Sequence, residues 1–460
     1  MSINFSAFEI GRRALNASQY GISVTGQNIA NANTPGYSRR QLTLAESAAP
    51  TVHGYAMGTG VNVTGIQTFR NNFIQSRIQT EMGIAGRLTA RRDSLAPVES
   101  ALQGSESGGL QSALTAFFGG FRDLEANPTS VPLRSLVVQR GANLANSFST
   151  TRARLVAIRN ETDIQLRTTV GTVNDLAQKV ADLNVMISSA ETPGGDASAL
   201  RDQRAEIINQ LAEMTGARAV ENKDRMVTLT IGDGHALVSG EKAFKLTAGN
   251  APPLGLATIT LNGDPAVFDD GTVRGLQDAI TETTAQIDDL DSLAAAVVTR
   301  VNALHVSGTD LDGNAAVGFF DTSVPITAGN MAVNTAIAAN PRLVAASPLT
   351  QPDATGTIAG AIGNLLTDPT TTAGSRTGSF SSIFGSMLTQ AGEQVNSADN
   401  GLQTQAAIIA QATAQRDAVS GVSLDEEAIN LLQYQKAFEA ATRFIKVADE
   451  MTQMIISLGE

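Results

Sequence analysis

The chain has 460 residues, with 32 Lys+Arg against 44 Asp+Glu for a net charge of −12, and it contains neither Cys nor Trp. Zero Cys excludes a disulfide scaffold, a thiol nucleophile, a Cys-based zinc site and an iron–sulfur cluster, and the acidic balance argues against a nonspecific nucleic-acid binder, which needs a basic footprint. A hydrophobic fraction of 42% separates the chain from disordered sequences, and at roughly 150 residues per domain its length predicts about three domains.

Aromatic residues are scarce, with 16 Phe and 4 Tyr. Aromatics carry much of the energy of ordinary cores, so their scarcity predicts an elongated molecule held by narrow helix seams of Ala, Leu, Ile and Val. Near the start, Glu9, Arg12, Arg13, Asn16 and Gln19 interrupt the apolar positions. The segment therefore does not read as a secretory leader. No run reaches the ~18 uninterrupted apolar residues of a spanning helix, and on these grounds alone the chain would be placed in the cytoplasm.

In chain order, the first element is a helix with a heptad repeat. Phe8, Leu15, Ile22 and Ile29 stand seven residues apart, and Gly11, Ser18, Thr25 and Ala32 each follow three residues later. Large residues at one heptad position and small ones at the other predict a narrow seam against a partner helix. Gly11, Gly21 and Gly26 each cost about 1 kcal/mol relative to Ala in a helix, so the segment should order only against that partner. It ends in Asn28-Ile29-Ala30-Asn31-Ala32-Asn33-Thr34-Pro35-Gly36-Tyr37. Pro35 disfavours helix at Thr34, and Pro35-Gly36 fits the centre of a type II turn.

Proline placement marks the long helices, because Pro breaks helix interiors. None lies between Pro132 and Pro193, between Pro265 and Pro325, or after Pro369. Apolar residues at alternating spacings of three and four predict bundle helices through Ile74, Ile78, Ala85, Leu88 and Leu95, and through Leu176, Val180, Leu183 and Ile187. A third such run is Ile280, Thr283, Ile287, Leu290, Ala294, Val297, Val301 and Leu304. Between the second and third runs the texture changes. Val227, Leu229 and Ile231 alternate with Thr before Gly232-Asp233-Gly234, and Ala257, Ile259 and Leu261 alternate with Thr before Asn262-Gly263. Both are hairpin signals.

At the far end, Ser423 with Glu426 three residues on forms a capping box, and Asp425, Glu426 and Glu427 suit the positive end of a helix. Leu431, Tyr434, Phe438, Ala441, Ile445, Ala448 and Ile455 then continue the three-four spacing. The fold expectation is mainly α with a small inserted β domain: elongated, discontinuous domains, with terminal coiled-coil-like helices and a long helical bundle. The terminal helical domain covers 1–35 and 421–460, the bundle domain 36–216 and 272–420, and the outer β domain 217–271.

Catalytic signals are weak. His53, His235 and His305 are the only histidines and none stands in an HExxH pattern, so His305, at the end of an apolar helix, reads as structural. Gly58-Thr59-Gly60 and Gly232-Asp233-Gly234 lack a Walker lysine and read as turns. Asp310, Asp312, Asn314 and Asp321 occupy positions 1, 3, 5 and 12 of a calcium loop, but Ala315 replaces the required Gly and position 12 lacks a bidentate Glu. Asx turns explain the same residues. No cofactor, metal or catalytic residue is assigned.

The two ends carry the informative resemblance. NIANANTPGYSRRQ at 28–41, so near the start, resembles the N-terminal motif of bacterial flagellar axial proteins, here Asn28, Ala30, Asn31, Thr34, Pro35, Gly36 and Tyr37. The ending at 420–459, with LDEEAINLLQYQKAFEAA, is similar to its counterpart in the hook-associated protein 1 family in particular. DASALRDQR at 196–204, and the helix through Leu304-His305 leading to GTDLDG and GFFD, extend the likeness. It implies a structural subunit of the hook–filament junction, not an enzyme, with many copies stacked as a tube and the terminal helices as its inner layer. It also implies export through the flagellar type III apparatus without a cleaved signal, which replaces the cytoplasmic placement with an extracellular flagellar one. The implied partners are further copies of the chain, hook protein, a second junction protein next to the filament, and an export chaperone on the C-terminal helix, with no nucleic acid and no membrane. The chaperone role falls on Leu431, Phe438 and Ile445. The chain is short for such a family, so its outer region is expected to be reduced to 217–271. Another axial subunit, the second junction protein or flagellin, is the alternative. An enzyme or adhesin on an exported scaffold is disfavoured, because 217–271 is small and poor in catalytic side chains.

Overall fold

Proline-free stretches become the long helices. The computed structural model describes every residue except 1, 35, 49–50, 53–54, 57, 105–108, 193–194, 233, 350–354 and 459–460, and it is 65% helical. His53, Asp233 and Pro35 lie outside the described residues. The helices run α1 (Ser2–Ala30), α2 (Asn72–Gln103), α3 (Leu110–Ala126), α4 (Val131–Glu191), α5 (Ser198–Thr215), α6 (Thr272–His305), α7 (Thr335–Ala339), α8 (Thr357–Asn364), α9 (Phe380–Ser420) and α10 (Leu424–Leu458). α4, with 61 residues, is about 90 Å long at 1.5 Å per residue. Pro132 sits in its first turn, where the missing N–H has no helical partner to lose.

The chain divides into two compact units. The first comprises residues 1–83, 173–245 and 405–460. It holds β1 (Arg40–Glu46) antiparallel to β4 (Val61–Thr68), the short pair β2 (Thr51–Val52) and β3 (Tyr55–Ala56), and a meander of β5 (Arg218–Glu221), β6 (Val227–Ile231), β7 (His235–Ser239) and β8 (Lys242–Ala243). The alternation read in β6 is exact in burial: Val227, Leu229 and Ile231 are buried and the threonines between them half-buried. The meander packs on the end of α4 through Asn184, which bonds the carbonyls of Val227 and Gly240 and the N–H of Val227. α5 ends at Gly216, whose φ of +67° is the left-handed turn that glycine adopts freely.

The second unit comprises residues 84–172 and 246–404. It holds β9 (Leu246–Ala251), β10 (Leu256–Leu261) and β11 (Asp264–Pro265) as one antiparallel sheet, with the short pairs β12 (Gly308–Thr309) with β13 (Ser347–Pro348), and β14 (Thr371–Ala373) with β15 (Arg376–Gly378). β10 and β11 are joined by Asn262 and Gly263, both at positive φ, the requirement of a type I′ hairpin turn. Residues 217–271 thus contain two sheets, one in each unit.

The predicted α6 stripe is the spine of the second unit's core. Ile280, Thr283, Ile287, Leu290, Ala294, Val297 and Val301 are all at most 8% exposed, with Leu304 packed at the edge. Ile78, Leu95, Val180, Leu183 and Ile187 from the other two stripes are also buried. The aromatic expectation needs correction for this unit. Phe117, Phe118, Phe121, Phe319, Phe320 and Phe380 form one cluster with ring centroids 4.9–5.6 Å apart. The few aromatics are concentrated rather than absent from the core. Each buries 150–250 Å², which suffices for a conventional globular core here.

Candidate assembly site at the paired chain ends

The terminal helices are each other's partner. α1 and α10 pack antiparallel: Gly11 lies against Ile445 and Phe444, Gly21 against Tyr434, and Asn28 bonds Glu427. Small residues form the contact face, since Ala17, Ser18, Val24, Thr25 and Asn28 are at most 5% exposed. Phe8, Leu15, Ile22 and Ile29 flank that face half-buried. Gly11 and Gly21 are filled notches: a Cβ at Gly21 would run into the Tyr434 ring and one at Gly11 into Ile445, whereas a Cβ at Gly26 meets nothing within 4 Å.

On α10, Ala441 and Ala448 are buried against α1, and Leu431, Tyr434 and Ile445 are half-buried. Phe438 and Ile455 remain exposed, at 38% and 57%. A second apolar stripe also faces outward. Phe444, Val447, Met451 and Met454, spaced by three and four residues, are 45–63% exposed. The Ser423 cap is formed, its hydroxyl accepting from the Glu426 N–H at 3.4 Å.

The N-terminal motif builds a polar node where the two helices meet. Its turn is closed by N–H bonds from Asn31 to Gln27 O (3.0 Å), Thr34 to Asn31 O (2.9 Å) and Tyr37 to Thr34 O (3.2 Å), and Gly36 takes φ +78°. Ala30 is exposed. Asn28 donates to Arg40 O at 2.8 Å and to Glu427 at 3.0 Å, and accepts from the Tyr37 hydroxyl at 2.8 Å and the Arg40 N–H at 3.1 Å. Arg39 pairs with both Glu427 and Glu426 at 2.9 Å, and its N–H donates to Ser420 O at 3.0 Å. Arg40 stacks over Tyr37, 5.0 Å from the ring centroid. Asp202 of α5 bridges Arg40 and Arg70, each at 2.7 Å. Burial pushes the Tyr37 phenol up, partly opposed by Arg40; burial likewise pushes Asp202 up against its two guanidiniums.

The node explains the motif residues physically: Asn28, Thr34, Gly36 and Tyr37 hold the turn, and the turn holds α10. Arg39, Arg40 and Asp202 were not singled out from sequence, and Glu427 was read only as a first-turn acid of the C-terminal helix. The available signal was Glu427 on the same heptad frame as Tyr434 and Ala441, a charge within an otherwise apolar seam.

No reaction chemistry collects here. A cleft of about 500 Å³ beside α5 is lined by Arg70, Arg201 and Arg204, but these are paired with Asp202, Glu191 and Glu221. Among the described residues no group of His, Cys, Asp and Glu could hold a metal ion. In the calcium-like loop, Asp310 accepts from the N–H groups of Asp312 and Asn314 at 2.9 and 2.8 Å, and Asp312 is taken by Arg342. That is an Asx turn closed by an ion pair. His305, fully buried, meets Val317 O with Nδ1 at 2.6 Å and accepts from the Ala345 N–H with Nε2 at 2.8 Å.

Comparison with known proteins agrees with these features. The profile of the flagellar hook-associated protein FlgK helical domain matches residues 95–320. Those of the flagella basal body rod protein and the basal body rod FlgEFG C-terminal region match residues 8–37 and 415–458. Flagellar hook-associated protein 1 of Bacillus subtilis is 27% identical, with 99% of each chain aligned, and that of Escherichia coli is 23% identical over 96% of this chain and 98% of its own. The hook junction protein FlgK from Burkholderia pseudomallei shares the fold, with a TM-score of 0.65 at 15% identity over 75% of this chain and all of its own. The end motifs are common to rod and axial proteins, so the helical middle discriminates: the chain belongs to the flagellar hook-associated protein 1 family, whose members are structural proteins of the extracellular flagellum and not enzymes.

Proposed function

We propose that this structural protein of the hook–filament junction assembles through its α1/α10 hairpin, copies stacking so that the hairpins form the inner layer of a tube. The observation that carries this reading is the stripe Val447, Met451 and Met454, left exposed beside the face of α10 that α1 covers, with Phe444 at its edge against Gly11. Monomeric proteins rarely leave such a row of large apolar residues free. Residues 1–35 and 421–460 then act as the assembly domain. Hook protein on one side and the second junction protein on the other are the neighbours this role requires. An export chaperone on α10 would meet Phe438 directly, whereas Leu431 and Ile445 are half-covered by α1, so α1 and the chaperone would compete for them.

Deleting the gene tests the role. Cells should retain hooks and shed flagellin into the medium; a strain still building attached filaments would refute it. Loss of flagellin itself would leave nothing shed, which separates the alternative axial subunit.

A further inference from the structure

Seams between helices can be fixed in alignment by a buried polar contact, and the α1/α10 seam combines such a contact with the apolar notches at Gly11 and Gly21. Ala14, Gly21 and Asn28 recur every seven residues on α1, as do Glu427, Tyr434, Ala441 and Ala448 on α10. Sliding α10 by one heptad sets small against small, with Ala14 opposite Ala448 and Gly21 opposite Ala441, and takes the Tyr434 ring away from Gly21. The same slip brings Asn28 opposite Tyr434 and carries Glu427 past the end of α1.

In the observed alignment Asn28 and Glu427 are 1% and 2% exposed. Both amide hydrogens of Asn28 are given, to Arg40 O and Glu427, and its oxygen accepts twice, from Tyr37 and the Arg40 N–H. Glu427 receives Asn28 on one oxygen and Arg39 on the other. A heptad-shifted alignment breaks the Asn28–Glu427 bond, because the partners on the Tyr37–Arg40 segment stay with Asn28 while Glu427 moves away.

We propose that Asn28 and Glu427, with Arg39, set the register of the terminal hairpin: they are positioning residues that add a polar condition to the alignment beyond what the glycine notches supply. The consequence for assembly rests on the tube reading above. A one-heptad slip would shift the free apolar stripe of α10 by about 10 Å along α1, out of step with neighbouring copies.

The absence of Cys makes the test clean in the full-length chain. Ala14→Cys with Ala441→Cys reports the observed alignment, which falls between the Gly11–Ile445 and Gly21–Tyr434 contacts. Ala14→Cys with Ala448→Cys reports the slipped one. Under mild oxidation the second pair should cross-link roughly tenfold less than the first, the ratio expected for stranding a buried polar group. Glu427→Gln keeps an oxygen for Asn28 and should preserve that ratio. Glu427→Leu should raise the slipped product several-fold with α10 still helical. An unchanged ratio in Glu427→Leu would assign the register to the Gly21–Tyr434 notch instead. Loss of both cross-links together with helicity would make Glu427 a folding residue, and either result overturns the proposal. The readout is intramolecular, so it does not depend on whether the chain polymerises.

Discussion

His305 shows how one buried side chain ties stability to pH. Desolvation holds its pKa down at about 4, against 6.5 for an ordinary histidine. The unfolded chain therefore binds a proton between these values that the folded chain refuses, and stability falls as pH drops through that window. Its contribution is complete above pH ~6.5, and about 2 kcal/mol should be lost between pH 7.5 and pH 5. Urea unfolding monitored at both pH values should show this difference in the wild type and a flattened one in His305→Gln, whatever the mutation does to absolute stability. A structural role for His305 was legible from its place at the end of an apolar helix, but its partners Val317 and Ala345 were not. Buried polar side chains leave no periodic trace, and their partners can be remote: Asn28 and Glu427 are 399 residues apart. For the same reason the motif could be recognised as a turn without revealing that it clamps α10.

At the scale of elements, the α1 glycines divide by what faces them. Gly26→Ala removes a poor helix former where a Cβ has open space and should stabilise the hairpin by up to about 1 kcal/mol. Gly21→Ala has the same intrinsic benefit but drives a methyl into the Tyr434 ring, and overpacking of that kind costs about 1–3 kcal/mol. Amide exchange across α1 should slow in the first variant and quicken in the second. The α6 stripe was readable from sequence because a long helix repeats its signal over many turns. The phenylalanine cluster was not, because Phe117 on α3, Phe319 in a loop and Phe380 on α9 converge only in three dimensions. Phe117→Ala, at a fully buried site, should destabilise the second unit by about 3–5 kcal/mol in denaturant unfolding while leaving the Ala14→Cys/Ala441→Cys cross-link in place.

For the whole molecule, the mainly helical class was read correctly, whereas strand pairs were assigned only in 217–271 and those at 40–68, 308–348 and 371–378 were missed. What composition could not convey was distribution, since a low total of aromatics is compatible with one dense cluster. The exposed stripe of α10 separates assembly from folding. Val447→Asp or Met451→Asp, at positions 52% and 56% exposed, should leave thermal unfolding of the isolated chain within about 0.5 kcal/mol of wild type. The same changes should abolish filament attachment, scored as flagellin shed from otherwise normal hooks. A large loss of monomer stability would place the stripe inside the folded core.

The antiparallel pairing of α1 with α10 also imposes an order in time. A helix whose glycine notches are filled from the opposite end of its own chain cannot complete its seam before that end is present. Whichever end emerges first waits unpaired, and the hairpin forms only when both have arrived. A chain interrupted before residue 424 leaves α1 resting on β1 and β4, with the Gly11 and Gly21 notches unfilled, so the seam is completed only once both helices are present.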